Sequence, residues 1–147
     1  YLLNAFDLEV TEVHKLVEKD WVDNSLFILG VPTWYDGVLQ SDWEDYFDDF
    51  KQIDFTGKTI ALFGLGDQIG YDEYFVDGIG ILAKVVLEGG KVIGNWPRDN
   101  YSFSESKALI NKDYFYGLPL DQDNEDELTL GRLEKWVEQL KNEIAEI

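Results

Sequence analysis

Two glycine-containing loops carry the residues whose types and spacing could hold a ligand. The first runs Pro32-Thr33-Trp34-Tyr35-Asp36-Gly37, and the second runs Gly64-Leu65-Gly66-Asp67-Gln68-Ile69-Gly70-Tyr71. Glycines let the backbone approach a ligand closely, and each loop also carries a large aromatic ring, that of Trp34 in the first loop and that of Tyr71 in the second. Two such rings on neighbouring loops can stack on the two faces of a flat molecule. The residue types therefore predict a site for a planar ligand.

The second loop differs from the fingerprint of dinucleotide-binding sites. Gly64-Leu65-Gly66 follows an apolar run, but Ile69 stands at the third glycine position. The carboxylate of Asp67 would also repel a phosphate brought to a helix N-terminus. We therefore expect this loop to hold the uncharged edge of a ring, to which Asp67 and nearby backbone groups can hydrogen-bond.

Other kinds of chemistry find weaker support. The chain has no cysteine, which excludes disulfides, thiol nucleophiles and cysteine-ligated metals. Its one histidine, His14, lies on or next to a predicted edge strand, where a surface or packing role is favoured over catalysis. Residues 121–126 resemble the start of a calcium loop, but Asp126 stands at the turn glycine and Arg132 at the bidentate glutamate. Hydrolysis by a carboxylate pair stays open, although no pair is singled out by an apolar pocket pattern.

Apolar patterns predict the strands that would position both loops. Leu26–Leu29 and Ile60–Phe63 are continuous apolar runs, typical of central strands that are buried on both faces. Lys91–Gly94 is a shorter version, and Leu8–Val13 alternates in period two like a half-buried or edge strand. In an open parallel sheet, ligands bind outside the carboxyl ends of the strands, where both loops would lie.

Helical patterns fill the gaps between these strands, as in a βαβ chain with a parallel sheet. One helix is predicted from Trp43 to about Phe50, and a second from Tyr74 to just before Gly89-Gly90. Thr129 is expected to cap a last helix with one apolar face. Residues 97–114 are polar and aromatic and are predicted to form an excursion between two sheet-forming pieces. Because we find no linker or repeat, residues 1–147 are predicted to form a single α/β domain.

The net charge of −18 is the strongest feature of the composition. Such a field repels nucleic acid and anionic membranes and steers the protein toward basic partners, although solubility or a salty habitat is an alternative explanation. No apolar run approaches the roughly 20 residues that span a bilayer, and the N-terminus lacks a signal-peptide pattern. We therefore expect a cytoplasmic protein, or a stromal one if it comes from a plastid.

The motifs together resemble the flavodoxins, in order and spacing, from about residue 8 to the C-terminus. The resemblance is carried by Pro32–Gly37, Gln40–Trp43, Phe63–Gln68, Tyr71 and Phe75. Tyr101, Glu105–Ala108 and Phe115–Asp121 resemble the extra segment of the long-chain flavodoxins. The resemblance implies a flavodoxin-like three-layer sandwich, with a parallel sheet of order 2-1-3-4-5, helices on both faces and flavin mononucleotide (FMN) at the switch point.

The resemblance also implies which residues hold FMN. Trp34 is expected on one face of the isoalloxazine ring and Tyr71 on the other. The carbonyl of the Tyr35–Asp36 peptide is expected to turn toward the ring nitrogen that takes up a proton. The remaining expected contacts to the ring and its outer part are Thr33, Tyr35, Asp36, Gly37, Leu65, Gly66, Asp67, Gly70, Tyr74 and Asp121.

The family pattern opens with a strand, a Thr- and Gly-rich phosphate loop and a helix that have no counterpart in this sequence. Tyr1–Phe6 resemble the end of that helix. The absent piece is about 30 residues, the scale of a βαβ unit, and its strand would be central in the sheet. We therefore expect the complete molecule to bind FMN and the 147 residues alone to bind it poorly.

As a function, the resemblance implies a low-potential one-electron carrier, not an enzyme. Expected partners are basic redox proteins, such as a flavin-containing NADP reductase or photosystem and oxidoreductase donors and acceptors, and the carrier is expected to be a monomer. Two alternatives stay open. A flavin-dependent quinone or nitro reductase would need an open pocket over the ring. A cofactor-free acidic docking module would explain the absent phosphate loop.

Overall fold

The computed structural model describes all 147 residues. The strands in chain order are β1 (Leu26–Trp34), β2 (Val38–Leu39), β3 (Thr59–Leu65), β4 (Lys91–Ile93), β5 (Trp96–Pro97), β6 (Tyr114–Phe115) and β7 (Leu118–Leu120). The α-helices are α1 (Leu2–Ala5), α2 (Glu18–Asp23), α3 (Ser41–Lys51), α4 (Asp77–Val86), α5 (Gln122–Glu125) and α6 (Thr129–Ala145). Single turns of 3₁₀-helix cover Val13–Lys15 and Asp126–Leu128. None of the helices is long and apolar enough to cross a membrane.

The centre of the fold is the parallel pairing of β1 with β3, from Leu26 opposite Thr59 to Pro32 opposite Leu65. Both strands were predicted from their continuous apolar runs, and the structure confirms them. The middle of β3 is almost completely buried on both faces, which is why its sequence lacks the period-two alternation of a half-exposed strand. β2 pairs antiparallel with the end of β1 only, at Thr33 and Trp34.

β4 and β7 share the other edge of β3. β4 pairs in parallel with the first part of β3, and β7 pairs in parallel with its last part. Between them, residues 94–117 leave the sheet and include the small antiparallel ribbon of β5 and β6. We call residues 94–117 the insert. The predicted excursion between two sheet-forming pieces is therefore confirmed, and the order of the three parallel positions matches the last three of the expected sheet.

Helices cover both faces of the sheet and form the outer layers. On one face, α3 and α4 pack over Ile60 and Leu62 in a core that also contains Phe50. On the other face, α6 packs Trp136 against a smaller apolar cluster around Ala61. Because successive residues of β3 point to opposite faces, its apolar run supplies both cores at once.

The predicted edge strand Leu8–Val13 is wrong. Residues 7–12 have no regular secondary structure, and the 3₁₀ turn begins at Val13. A strand needs a neighbour to exchange backbone hydrogen bonds, and no strand lies beside this segment. Residues 7–12 instead line a groove of about 760 Å³ together with the edge of β1 that faces away from β3, where no strand pairs with Leu26–Pro32.

Two predicted helix starts are also corrected. Thr129 is not the N-cap of α6: that position is Leu128, without a side-chain cap, and the Thr129 hydroxyl is buried with no hydrogen-bond partner. α4 begins at Asp77 rather than Tyr74, because Val76 takes a left-handed backbone conformation with φ of 47° that a helix cannot include. The predicted helix at Trp43–Phe50 is confirmed, and the Gln40 side chain caps its first turn.

Candidate functional site

The two aromatic loops meet in a cleft of about 280 Å³ at the carboxyl ends of β1 and β3. Trp34 and Tyr71 both line it, with 41% and 42% of their surfaces exposed. Partly exposed aromatic rings in a concave site are placed to cover a flat ligand rather than to fill the core. Seven of the residues expected to contact the ligand line this cleft: Thr33, Trp34, Leu65, Gly66, Asp67, Tyr71 and Tyr74.

The other five expected contacts do not line the cleft. Tyr35, Asp36 and Gly37 form the turn that follows Trp34, before β2 begins. Gly70 belongs to the turn before Tyr71, where its backbone N–H donates to Asp67 Oδ1 at 2.7 Å. Asp121 is fully buried, so its side chain supports the surrounding loops and does not line the cleft.

Sequence reasoning missed three residues that line the cleft: Pro32, Gln122 and Asp123. Pro32 lies in β1, one residue ahead of the expected contacts. Gln122 and Asp123 open α5, directly after β7. The general rule that ligands bind beyond the carboxyl ends of parallel strands points to the loop after β7, once β7 is known to pair with β3.

The turn after Trp34 has a strained backbone. Tyr35 has a φ of 45° and Gly37 a φ of 83°. For a non-glycine residue such as Tyr35 the left-handed region costs on the order of 1 kcal/mol, and such strain concentrates at functional sites. Glycine is required at position 37 for a second reason, since an added Cβ would lie only 2.7 Å from Asp77 Oδ2.

The first turn of α4 holds this loop in place. Thr33 Oγ1, at the end of β1, accepts a hydrogen bond from the Gly78 backbone N–H at 2.9 Å. Thr33 was expected to contact the ligand, and its hydroxyl oxygen accepts this hydrogen bond from α4. The position of the Trp34 loop is therefore set by α4 as well as by β1.

The turn before Tyr71 is organised by Asp67. Its Oδ1 accepts hydrogen bonds from the backbone N–H groups of Ile69 at 2.9 Å and Gly70 at 2.7 Å, and from Asn124 Nδ2 at 2.8 Å. The Gly70 N–H, with help from Asn124, lowers the pKa of Asp67 below its ordinary value. The carboxylate therefore stays ionised at neutral pH, and its contribution to the turn is lost only as the pH falls through this lowered pKa.

The charges that line the cleft suit a ring and not a phosphate. Asp67 and Asp123 are its charged residues, and no lysine or arginine lines it. Its volume lies near the lower end of the roughly 300–1,000 Å³ typical of small-molecule sites, which is enough for a flat ring system rather than a whole nucleotide. The residues present therefore fit an isoalloxazine ring, and they do not form a phosphate cradle.

A metal site is not supported at this position or elsewhere in the chain. No group of three or more histidine, aspartate or glutamate side chains is arranged to hold a metal ion. In the run that resembles a calcium loop, the carboxylate of Asp121 accepts hydrogen bonds from Gln68 and Asn124, so its oxygens are already occupied by N–H donors.

Asp77 is a buried acid beside the site. It begins α4, its Oδ1 accepts a hydrogen bond from the Lys107 backbone N–H at 2.7 Å, and its Oδ2 faces Gly37. Burial raises the pKa of Asp77 above its ordinary value of 3.8, although the Lys107 N–H opposes this shift. A raised pKa means that folding favours the protonated form. The stability gained is complete below the ordinary pKa and is lost as the pH rises through the raised one.

We expect Asp77→Asn to stabilise the protein at pH 7 by about 1 kcal/mol, since the amide removes a buried charge and keeps an oxygen for Lys107. Urea unfolding at pH 7 and near pH 4 measures the effect, and the gain should shrink at the lower pH, where Asp77 is increasingly protonated. Asp45→Asn, at an exposed position, is the matched control for the general relief of negative charge. Equal gains in both variants would contradict a specific cost at Asp77.

Known proteins resemble this chain over most of its length. The family model described as flavodoxin matches residues 2–136. Flavodoxin 1 of Escherichia coli strain K12 is 42% identical over 137 residues, which cover 92% of this chain and 78% of that protein. The flavodoxin of Nostoc sp. strain PCC 7120 is 46% identical over 146 residues, covering 97% and 85% respectively.

A solved structure agrees with these sequence matches. The crystal structure of Fusobacterium nucleatum flavodoxin bound to flavin mononucleotide superposes with a TM-score of 0.82 at 34% identity. The superposition covers 89% of this chain and 78% of that one. Together with the parallel sheet, the helices on both faces and the aromatic cleft, these matches show that the chain belongs to the flavodoxin family.

Proposed function

We propose that this flavodoxin is a low-potential one-electron carrier that holds the isoalloxazine ring of FMN in the cleft between Trp34 and Tyr71. The observation that carries the proposal is the aromatic-lined cleft at the carboxyl ends of β1 and β3, in a chain of this family. FMN is the ligand of the Fusobacterium nucleatum flavodoxin, which has the same fold. The shape and charge of the cleft support binding of the isoalloxazine ring there, with the phosphate of FMN outside the cleft.

When bound, FMN supplies a ring that accepts and releases electrons. The protein supplies the surroundings of that ring. Trp34 and Tyr71 would stack on it and exclude water, while backbone groups of Leu65 and Gly66 would meet its edge. Asp67 and Asp123 place negative charge at the cleft, which disfavours further negative charge on the ring by Coulomb repulsion and lowers its reduction potential.

Some residues of the site would touch the ring, and others would hold the contacting residues in position. Thr33 would act from the cleft wall while its hydroxyl anchors β1 to α4. The peptides of Tyr35, Asp36 and Gly37 would present backbone groups to the ring edge, and the surrounding structure holds Tyr35 in its left-handed conformation against the strain. Asp121, which is buried, would act only through its neighbours.

Membership of the flavodoxin family supports the carrier and leaves the two alternatives without support. The curated relatives are named as flavodoxins, which are electron-transfer proteins and not reductases of small substrates. A cofactor-free docking module would have no use for a cleft lined by two exposed aromatic rings. Titration of FMN into the purified full-length protein, followed by quenching of flavin fluorescence, tests the proposal, and an absence of binding would overturn it.

The proposed partners are basic redox proteins that dock near the cleft. Acidic residues cover α3, which begins just after the Trp34 loop and β2. Two of these acids already have a basic side chain nearby: His14 lies 3.7 Å from Asp42, and Lys51 lies 3.1 Å from Asp48. Glu44, Asp45 and Asp49 are exposed and make no ion pair. Glu44 and Asp45 lie nearer the start of α3 and the Trp34 loop, so they are the acids best placed to attract a cation from a partner. A monomeric, cytoplasmic carrier without nucleic-acid or membrane partners belongs to the same proposal, and the charge of −18 supports the exclusion of those partners.

Reversal of these two charges should slow docking. We expect Glu44→Lys with Asp45→Lys to reduce the association rate with a basic reductase about ten-fold at low ionic strength. The difference should fade as added salt shortens the Debye length to about 8 Å. Stopped-flow kinetics over a salt series measures this effect.

The matched control is Glu134→Lys with Glu138→Lys, because these exposed acids lie on α6, across the sheet from α3. It changes the net charge equally, so it should slow association less if α3 is the docking face. Equal slowing by both double variants would show that the total charge, and not the α3 face, controls association.

A further inference from the structure

Gln68 lies buried behind the cleft, in the loop that carries Tyr71, with only 4% of its surface exposed. Its side-chain Nε2 donates to Asp121 Oδ2 and to Glu125 Oε2, both at 2.8 Å. Its Oε1 accepts from the Ser102 backbone N–H at 2.7 Å. Both amide hydrogens and the amide oxygen are thus used inside the protein. The Gln68 backbone N–H donates to Asp121 Oδ2 as well, at 3.0 Å.

Asp121 is the acceptor at the centre of this arrangement. It is fully buried and receives, besides the two Gln68 donors, the Asn124 backbone N–H at 3.1 Å and Asn124 Nδ2 at 2.9 Å. The same Asn124 amide donates to Asp67 Oδ1 at 2.8 Å, the carboxylate that organises the turn before Tyr71. A buried carboxylate is tolerated only when donors surround it, so the loop and the segment after β7 hold each other in place.

Arg132 connects this arrangement to α6 and to the insert. Its Nη1 donates to Glu125 Oε2 at 2.8 Å, and its guanidinium lies 4.2 Å from the centre of the Tyr101 ring. The Tyr101 hydroxyl donates to the Pro119 carbonyl at 2.7 Å, and burial raises its pKa, so the ring stays neutral. Arg132 therefore offsets the charge of Glu125 and connects the cluster to α6 and to the insert.

We propose that Gln68 is a positioning residue for the flavin site. The Gln68 cluster consists of Gln68, Asp121, Asn124, Glu125 and Arg132. This cluster fixes the turn of residues 67–70 and so sets where Tyr71 stands in the cleft. The identity of the ligand rests on the proposed function, whereas the fixing of the turn is a property of the protein without ligand.

The test is the isosteric variant Gln68→Glu, which replaces both N–H donors with a negative charge facing Asp121 and Glu125. Hydrogen exchange of the backbone amides, measured by NMR on the ligand-free protein, should become about ten-fold faster at Ile69, Gly70 and Tyr71. Exchange within Ile60–Leu62 of β3 should stay unchanged. Gln52→Glu, at an exposed position, adds the same charge and should alter neither segment.

Two further variants keep the test decisive. Asp121→Asn turns one acceptor into a donor that opposes the N–H groups of Gln68 or Asn124, and it should loosen the same turn. Glu125→Gln keeps an oxygen for Gln68 and Arg132, so it should have a much smaller effect. In the FMN-loaded protein, Gln68→Glu and Asp121→Asn should weaken FMN binding about ten-fold and change the visible circular dichroism of the flavin, because Tyr71 would shift.

The outcomes separate this proposal from the proposed function. If no form of the full-length protein binds FMN, the proposed function fails, and the exchange data still decide whether Gln68 positions the turn. Unchanged exchange at residues 69–71 in both Gln68→Glu and Asp121→Asn would overturn the positioning role. A rise that extends equally through β3, or failure of both variants to fold, would also overturn it, because the cluster would then support the whole domain and not the turn.

Discussion

Replacing either Trp34 or Tyr71 by alanine is expected to weaken FMN binding at least ten-fold, and replacing both should weaken it by about a hundred-fold or more. Stacking contributes about 1 kcal/mol for each ring beyond the area it buries. The buried area adds roughly 25 cal/mol per Å², and about 1.4 kcal/mol corresponds to a factor of ten in the dissociation constant. Titration of FMN followed by fluorescence quenching measures each variant of the full-length protein against the unmodified full-length protein.

Two conservative variants and one variant far from the cleft serve as controls for these losses of FMN affinity. Trp34→Phe and Tyr71→Phe keep a stacking face, so their binding should stay much closer to that of the unmodified protein. Tyr114→Ala removes a ring of similar exposure, 46%, from the ribbon of β5 and β6, and it should not change FMN binding. If the alanine variants bind FMN as the unmodified protein does, the ring lies outside this cleft.

Trp136→Ala is expected to have the largest effect on stability, a loss of about 3–5 kcal/mol. Trp136 is fully buried on the α6 side of the sheet, where its ring centre lies 6.1 Å from that of Phe63. Its Nε1 also donates to the Gly94 carbonyl at 2.9 Å, at the point where the chain leaves the sheet for the insert. Alanine would leave a cavity and an unsatisfied buried carbonyl, which is a large loss in a domain whose total stability is about 5–15 kcal/mol.

Urea unfolding separates these two contributions. Trp136→Phe keeps much of the packing and loses the hydrogen bond, so about 1–2 kcal/mol should be lost. Trp34→Ala makes the same change at a partly exposed ring and should cost much less stability than Trp136→Ala. A loss below about 1 kcal/mol for Trp136→Ala would show that the α6 layer contributes little to the fold.

The central strands could be predicted from their apolar runs. β3 is covered on both faces, so most of its residues are apolar and buried, and β1 carries the apolar run Leu26–Leu29 although it is only partly buried. Because the two strands are parallel, the loops that follow them had to lie at the same edge of the sheet. The alternating pattern of Leu8–Val13 was a weaker indication of a strand. Period-two alternation indicates a strand only if a neighbouring strand supplies the hydrogen bonds, and residues 7–12 have no such neighbour here.

The aromatic residues of the site could be predicted from the sequence, whereas the roles of its polar residues could not. The order of apolar runs, glycines and aromatic residues by itself determined that Trp34 and Tyr71 would flank one cleft, since consecutive parallel strands leave their loops at one edge. Only the tertiary structure decided the roles of the polar residues: Asp121 is buried, whereas Asp123, two positions later, lines the cleft. The direction of each side chain depends on partners far away in sequence, such as Gln68 for Asp121, which are 53 positions apart. Local sequence patterns do not predict such contacts, because the contacts form only when β7 pairs with β3 and α6 packs against the sheet.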